Sequence, residues 1–179
     1  MFKNIVVMSR PEAERYFHKP HEEKSVAISI TNVGDANANI YKNSNNRLFD
    51  VCRVQFDDVE RGGKNCITKK EAETIADFVD KYKDTSIDTL VVHCEAGQSR
   101  SAGVAAAIMK KLYDNDMPIF GNPKFTPNQT CYRETLNALF EKDLSLEKII
   151  QDAGDKLDSL SATFDFDDKI FEDIGLSTR

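Results

Sequence analysis

Four segments of the chain have the apolar patterns of β-strands. They are residues 2–8, 25–31, 48–56 and 89–93, and β-branched side chains recur in each of them. The last segment is a short continuous apolar run, which is typical of a strand that is buried on both faces of a parallel sheet. The polar stretch 34–47 between the second and third segments predicts a loop.

Helix starts can be read from two capping-box patterns, Ser9-x-x-Glu12 and Thr68-x-x-Glu71. In this pattern the hydroxyl and carboxylate side chains satisfy backbone N–H groups at the start of a helix. Helices are therefore expected from Ser9 to about residue 17, and from Thr68 through the apolar positions that recur at helical spacing up to residue 82.

The second half of the chain continues the alternation of strands and helices. Residues 101–113 are rich in alanine and predict a helix, whereas the three prolines in residues 118–127 predict a loop. Pro127 is expected to open another helix, to about residue 141, with Thr126 as its N-cap. The alternation predicts an α/β fold, with a central, mostly parallel sheet and helices on both faces.

Charge divides the chain into two parts. Residues 1–140 carry 19 basic and 19 acidic side chains, so the formal net charge of −6 lies entirely in residues 141–179. We expect one domain over residues 1–144 and an acidic, partly helical extension over residues 145–179 that forms no separate domain. The extension is a candidate surface for contact with a partner.

Composition also excludes several classes of protein. The longest apolar run, residues 104–109, is far shorter than the ~20 residues of a membrane span. We expect a cytoplasmic protein without a signal peptide and without a membrane partner. The four cysteines form no zinc-binding spacing, so no metal or cofactor is predicted. A neutral body without a basic stripe predicts no nucleic-acid partner.

The strongest chemical signal is the sequence His93-Cys94-Glu95-Ala96-Gly97-Gln98-Ser99-Arg100-Ser101. It has the form H-C-x-x-G-x-x-R-S and lies where a predicted strand ends and a predicted helix begins. A loop at that place can turn its backbone N–H groups inward, and with the helix N-terminus behind it can bind a phosphate dianion. The predicted phosphate-binding residues are Glu95, Ala96, Gly97, Gln98, Ser99 and Arg100.

The same loop places a nucleophile beside the phosphate. Inward N–H groups and a helix N-terminus favour the thiolate form of Cys94, which is the nucleophilic form. Arg100 offers a planar fork for two phosphoryl oxygens. Ser101 is expected to donate a hydrogen bond to the thiolate and make it a better leaving group, and His93 to orient the loop or to tune the thiol.

A phosphoryl group that moves from an ester to a thiolate leaves behind an oxygen that needs a proton. Asp57 and Asp58 follow the third predicted strand, and the carboxyl ends of parallel strands meet at one edge of a sheet. One of them can therefore act as a general acid on the ester and then as a base on water. The spacing alone leaves open which of the two faces the site.

Over residues 1–141 the chain resembles the cysteine-dependent protein tyrosine phosphatases of the small, dual-specificity-like class. The resemblance implies a phosphocysteine intermediate at Cys94, phosphate binding by Arg100, and a phosphorylated protein or a small phosphoester as substrate. The Phe56-Asp57-Asp58 sequence is similar to that of the phosphatases of regenerating liver, which favours Asp58 as the acid. Asn128 is similar to an asparagine that braces the serine at the position of Ser101.

Alternatives to a protein phosphatase remain open on these residues. The chain could be a phosphate-binding or phosphoprotein-binding module without turnover, or a phosphatase that acts on an RNA 5′-phosphate or a phosphoinositide. The loop between Cys94 and Arg100 contains no lysine, which favours a substrate with one phosphate.

Overall fold

The computed structural model describes residues 1–42, 47–60, 62–144 and 150–151 of the chain. Contacts divide the chain into two units, Met1–Phe140 and Glu141–Arg179. In the second unit, residues 141–144 and 150–151 are helical. The predicted boundary at residue 144 stays a prediction, and most of the acidic extension lies outside the described residues. In the part of the chain described, no helix is long and apolar enough to cross a membrane.

Four parallel strands form the sheet of the first unit, in the order β1-β4-β2-β3. They are β1 (Asn4–Ser9), β2 (Ser25–Thr31), β3 (Leu48–Gln55) and β4 (Thr89–Cys94). Every residue of β2 and β4 is buried, as expected for the central strands of a parallel sheet. The predicted α/β class with a parallel sheet is confirmed.

Helices cover both faces of this sheet. They are α1 (Arg10–His18), α2 (Lys69–Lys83), α3 (Arg100–Tyr113), the short α4 (Met117–Phe120) and α5, residues 129–140 of the first unit. Successive residues of β4 point to opposite faces: Val91 packs in one cluster with Phe17 of α1, and Val92 packs in the other with Ile108 of α3. Both faces of β4 are therefore buried.

Local capping determines where the first two helices begin. The Ser9 backbone N–H donates to Glu12 Oε2 over 2.7 Å, and the Thr68 N–H donates to Glu71 Oε2 over 2.9 Å. Both predicted capping boxes are present. Because Ser9 pairs with Cys94 across the sheet, the start of α1 lies beside the end of β4.

Two expectations for the segment after α3 are wrong. Residues 117–120 form a short helix inside the predicted loop, because Pro118 fits the first turn of a helix and Ile119 is buried. The next helix begins after Asn128, and not after Thr126. Asn128 Oδ1 accepts the N–H of Cys131 over 2.9 Å, which is the bond of an N-cap residue.

Candidate active site

Cys94 is the last residue of β4, at the carboxyl edge of the sheet where parallel strands gather their ends. Its side chain is only 1% exposed. Cys94 Sγ lies 3.1 Å from Ser101 Oγ and accepts the Gly97 N–H over 3.3 Å. The helix α3 begins at Arg100, behind the sulfur. The Gly97 N–H and the Ser101 hydroxyl thus both lie within hydrogen-bond distance of this sulfur.

The signature loop, residues 94–100, turns back on itself at Gly97. Gly97 has φ +69°, in the left-handed region, and a Cβ at this position would lie 2.6 Å from the Met8 carbonyl carbon. Only glycine satisfies both conditions without strain. The close approach brings the loop against the junction of β1 and α1, and it leaves the Gly97 N–H pointing at Cys94 Sγ.

Arg100 is a buried cation at the base of the signature loop, with 3% of its surface exposed. Its Nη1 donates to the carbonyl of Phe56 over 2.7 Å, which orients the guanidinium plane. Its Nε is buried, and no described residue accepts its hydrogen. A buried N–H without an acceptor is costly, so this donor fits an anionic ligand beside Cys94.

The remaining residues of the signature loop have separate surroundings. Glu95 accepts a hydrogen bond from Arg10 Nη1 over 3.1 Å, while Ala96 and Gln98 are exposed. Ser99 Oγ donates to Asp58 Oδ1 over 2.7 Å. The loop is therefore joined to α1 on one side and to the segment after β3 on the other.

The two candidate acids differ in how their oxygens are used. Asp57 accepts the Val33 N–H at Oδ1 over 3.1 Å and the Asn65 side-chain amide at Oδ2 over 2.8 Å. The hydrogen bond from Asn65, that from Val33 and the charge of Arg100 together hold the pKa of Asp57 below its ordinary value. Both of its oxygens are engaged and the group is held ionised, which makes Asp57 a poor proton donor.

Asp58 is exposed and faces the signature loop. Its Oδ1 accepts hydrogen bonds from Ser99 Oγ and from Asn128 Nδ2, the latter over 3.0 Å. Among the described residues, none donates to its Oδ2 or accepts from it. One oxygen therefore anchors the carboxyl group while the other can carry a proton, which favours Asp58 over Asp57 as the acid.

Asn128 lies at this site but does not contact the residue that the resemblance implied. Its Nδ2 donates to Asp58 Oδ1 and to the Val59 carbonyl, and its Oδ1 is used for the N-cap of α5. Ser101 Oγ instead contacts Cys94 Sγ. The expectation that Asn128 braces Ser101 is wrong in this geometry, because its side chain points to the loop after β3.

His93 is fully buried one residue before Cys94. Its Nδ1 lies 3.5 Å from the Cys94 carbonyl, and its Nε2 lies 2.8 Å from Ser29 Oγ. Because a carbonyl only accepts, the Nδ1 carries the hydrogen and Nε2 accepts from Ser29. Burial lowers the pKa of His93 to about 4. A neutral imidazole thus links β4 to β2 and orients the start of the loop.

The other three cysteines have different surroundings from Cys94. Burial raises the pKa of Cys52 to about 11, and it also raises the pKa values of Cys66 and Cys131. The thiols of Cys52 and Cys66 donate to backbone carbonyls, whereas the sulfur of Cys94 accepts a backbone N–H. These three side chains are structural thiols.

Three residues at the site were missed by the sequence reasoning. Arg10 binds Glu95, Ser29 binds His93, and Glu60 accepts hydrogen bonds from the first turn of α5. Ser29 carried a detectable signal, because it is a polar residue in the middle of an apolar strand. Arg10 and Glu60 had none, because each contacts residues distant in sequence. In the described part of the chain, no three His, Cys, Asp or Glu side chains form a metal-binding group.

Solved structures with the same fold include the following two proteins. The human tyrosine phosphatase-like serine/threonine/tyrosine-interacting protein matches with a TM-score of 0.50 and 17% identity, over 79% of this chain and 93% of that chain. PTPMT1 matches with a TM-score of 0.50 and 14% identity, over 82% of this chain and 96% of that chain. At these identities the likenesses show the fold alone, which is that of a tyrosine phosphatase-like protein.

Comparison of the sequence with curated proteins found no match. A family model does match, that of the Rit1 DUSP-like domain, over residues 59–153. The matched region is just over half of the chain. It contains the whole signature loop, α3 and Asn128, and it begins directly after Asp58. The chain therefore belongs to the family of Rit1 DUSP-like domains.

Proposed function

We propose that this protein is a phosphatase that hydrolyses phosphomonoesters through a phosphocysteine intermediate at Cys94. One observation carries the proposal: the buried Arg100 Nε has no acceptor among the described residues, at the base of a loop whose donors converge on Cys94 Sγ. An arginine fork, a loop of N–H groups and a helix N-terminus are complementary to a phosphoryl group. A nucleophilic sulfur at their centre supports turnover as well as binding.

The reaction has two steps. Cys94 Sγ attacks phosphorus and forms the S–P bond while the P–O bond of the ester breaks, and Asp58 gives its proton to the departing oxygen. Asp58 then takes a proton from water, whose oxygen attacks phosphorus and breaks the S–P bond. Arg100 follows the phosphoryl oxygens in both steps, and Ser101 Oγ stabilises the departing thiolate over a distance of 3.1 Å.

Substrates with a single phosphate fit the surroundings of the loop best. Asp57, which interacts with the charge of Arg100, and Glu95 add carboxylates beside the signature loop, and the nearby guanidinium of Arg10 is already bonded to Glu95. A second phosphate near the first would meet these negative charges. We therefore propose phosphotyrosine in proteins as the substrate, together with phosphoserine and phosphothreonine. A cytoplasmic location is proposed on the sequence alone.

The first experiment measures release of p-nitrophenol from p-nitrophenyl phosphate. Cys94→Ser should abolish turnover, because a serine hydroxyl is not ionised at neutral pH. Cys52→Ser is the matched control, since Cys52 is a free thiol outside the signature loop that donates to the Thr74 carbonyl of α2. Equal turnover by wild type and Cys94→Ser would refute the enzymatic proposal, and a wild type that binds phosphate without turnover would make the protein a binding module.

The second experiment separates the substrate classes. A panel of phosphotyrosine, phosphoserine and phosphothreonine peptides is compared with an RNA 5′-phosphate and a phosphoinositide under the same conditions. The proposal predicts the highest kcat/KM for a phosphopeptide. A higher kcat/KM for the RNA or the phosphoinositide would transfer the proposal to that phosphoester and leave the chemistry at Cys94 unchanged.

A further inference from the structure

The acid loop, residues 57–60, is bound to the first turn of α5 by two side chains. Asn128 Nδ2 donates to Asp58 Oδ1 over 3.0 Å and to the Val59 carbonyl over 3.3 Å. Glu60 works in the opposite direction: its Oε1 accepts the Gln129 N–H over 3.3 Å, and its Oε2 accepts the Thr130 hydroxyl over 2.7 Å. The loop and the helix therefore hold each other from both sides.

The start of α5 is itself held against the signature loop. The Asn128 N–H donates to the Ser99 carbonyl over 3.2 Å, and the Thr126 N–H donates to the Gln98 carbonyl over 3.0 Å. A Cβ on Gly103 of α3 would lie 2.5 Å from the Asn128 carbonyl oxygen, so α3 packs directly on this backbone. Anything fastened to the first turn of α5 is thus fixed relative to Cys94.

The Glu60 side chain is exposed, so it does not contribute to packing of the core. A carboxylate that accepts an N–H at a helix start interacts favourably with the positive end of the helix dipole. Asp58, by contrast, is anchored through Oδ1 alone, so the position of its Oδ2 depends on how the backbone of the acid loop is held. Small displacements of a reacting group cost large factors in rate.

We propose that Glu60 is a positioning residue, which holds Asp58 over the signature loop by fastening the acid loop to the first turn of α5. The proposal rests on the phosphatase function proposed above. Glu60 does not touch the substrate in this account: its side-chain bonds in the described part of the chain go to Gln129 and Thr130. Its effect on the reaction passes through the proton that Asp58 delivers.

The test uses two substrates that differ in their need for an acid. Phenyl phosphate has a basic leaving oxygen that requires a proton, whereas p-nitrophenolate leaves as a stabilised anion. The measured quantity is kcat/KM, because it reports formation of the phosphocysteine and not its hydrolysis. Asp58→Asn, Glu60→Ala and the double variant are compared with wild type. Glu71→Ala is the matched control, since Glu71 caps α2 in the same way, away from the acid loop.

Glu60→Ala should lower kcat/KM for phenyl phosphate about tenfold, which is a fraction of the 10²–10⁴-fold that a general acid supplies. The same variant should change kcat/KM for p-nitrophenyl phosphate by about twofold or less. The double variant should equal Asp58→Asn, because Glu60 acts only through Asp58. Equal losses on both substrates, additive losses in the double variant, or the same loss in Glu71→Ala would overturn the proposal.

Two further measurements keep the outcomes distinct. If Glu60→Ala is unfolded, Glu60→Gln replaces it in the test, because its side chain retains one acceptor oxygen. Glu60→Gln should give a smaller loss of kcat/KM that is still selective for phenyl phosphate. An equal loss on both substrates would overturn the proposal. Turnover of p-nitrophenyl phosphate by Cys94→Ser tests the phosphatase function by itself. Loss of turnover in Cys94→Ser together with an unselective Glu60→Ala would refute the positioning role alone.

Discussion

Replacing Gly97 by alanine measures how tightly the signature loop is packed on the β1–α1 junction. Two costs combine at this position: the left-handed φ of +69°, and a Cβ that would lie 2.6 Å from the Met8 carbonyl carbon and close to the Ser9 nitrogen. Gly34 has a φ of +87° but nothing within 4 Å of its Cβ position. Gly34→Ala therefore carries the first cost without the second.

The two costs have known sizes. A left-handed φ costs alanine about 1–2 kcal/mol, of which the stiffer unfolded chain returns about 0.4–1 kcal/mol. Forcing a methyl group into closely packed backbone adds about 1–3 kcal/mol. Gly34→Ala should thus lose about 1 kcal/mol of unfolding free energy, and Gly97→Ala about 2–4 kcal/mol. The larger loss is a substantial part of the 5–15 kcal/mol typical of a domain.

Urea unfolding at pH 7, followed by circular dichroism, gives both values from the same transition. The close packing of the loop predicts that Gly97→Ala unfolds at a clearly lower urea concentration than Gly34→Ala. Unfolding free energies that agree within about 0.5 kcal/mol, the usual range for a substitution that meets no structural obstacle, would refute the reasoning. The signature loop would then have room to move away from Met8 and Ser9.

Three other substitutions test separate parts of the site. His93 has a pKa of about 4 in the folded protein against 6.5 unfolded, so its contribution to stability is complete above pH 6.5 and is lost as the pH falls toward 4. The difference in unfolding free energy between wild type and His93→Gln should therefore shrink by roughly 3 kcal/mol across that window. A difference in urea unfolding that stays constant with pH would contradict this prediction. Arg100→Lys should lower kcat for p-nitrophenyl phosphate about 10²-fold or more, because an ammonium lacks the fork; a loss under about tenfold would argue against bidentate binding. Gly103→Ala should lower the melting temperature, because the alanine Cβ would lie 2.5 Å from the Asn128 carbonyl oxygen. This clash should outweigh the better helix propensity of alanine. An unchanged or higher melting temperature would contradict the contact.

Local chemistry made most of the fold predictable. The capping boxes at Ser9 and Thr68 involve residues three positions apart, so their outcome hardly depends on the rest of the chain. The buried strand β4 could be read from its continuous apolar run, and β2 has the predicted bounds. The signature loop was predictable because strand, turn and helix follow each other directly in the sequence.

Contacts between distant segments were not predictable in the same way. Asn128 and Asp58 are 70 residues apart, and their hydrogen bond depends on how the acid loop folds over the start of α5. The resemblance correctly placed Asn128 at the site, but it implied Ser101 as the hydrogen-bond partner of Asn128, where the structure has Asp58. The structure likewise distinguishes Asp57 from Asp58 through contacts between distant segments, because Val33 and Asn65 donate hydrogen bonds to Asp57.

The central claim is that Cys94 accepts the phosphoryl group, and direct detection of the intermediate tests it. In Asp58→Asn, hydrolysis of the phosphocysteine lacks its base, while p-nitrophenolate still leaves without an acid. Rapid mixing with p-nitrophenyl phosphate should therefore release a burst of one p-nitrophenolate per enzyme, and mass spectrometry after acid quenching should locate one phosphoryl group on Cys94. Turnover without a burst and without an adduct, or an adduct on another residue, would contradict the account.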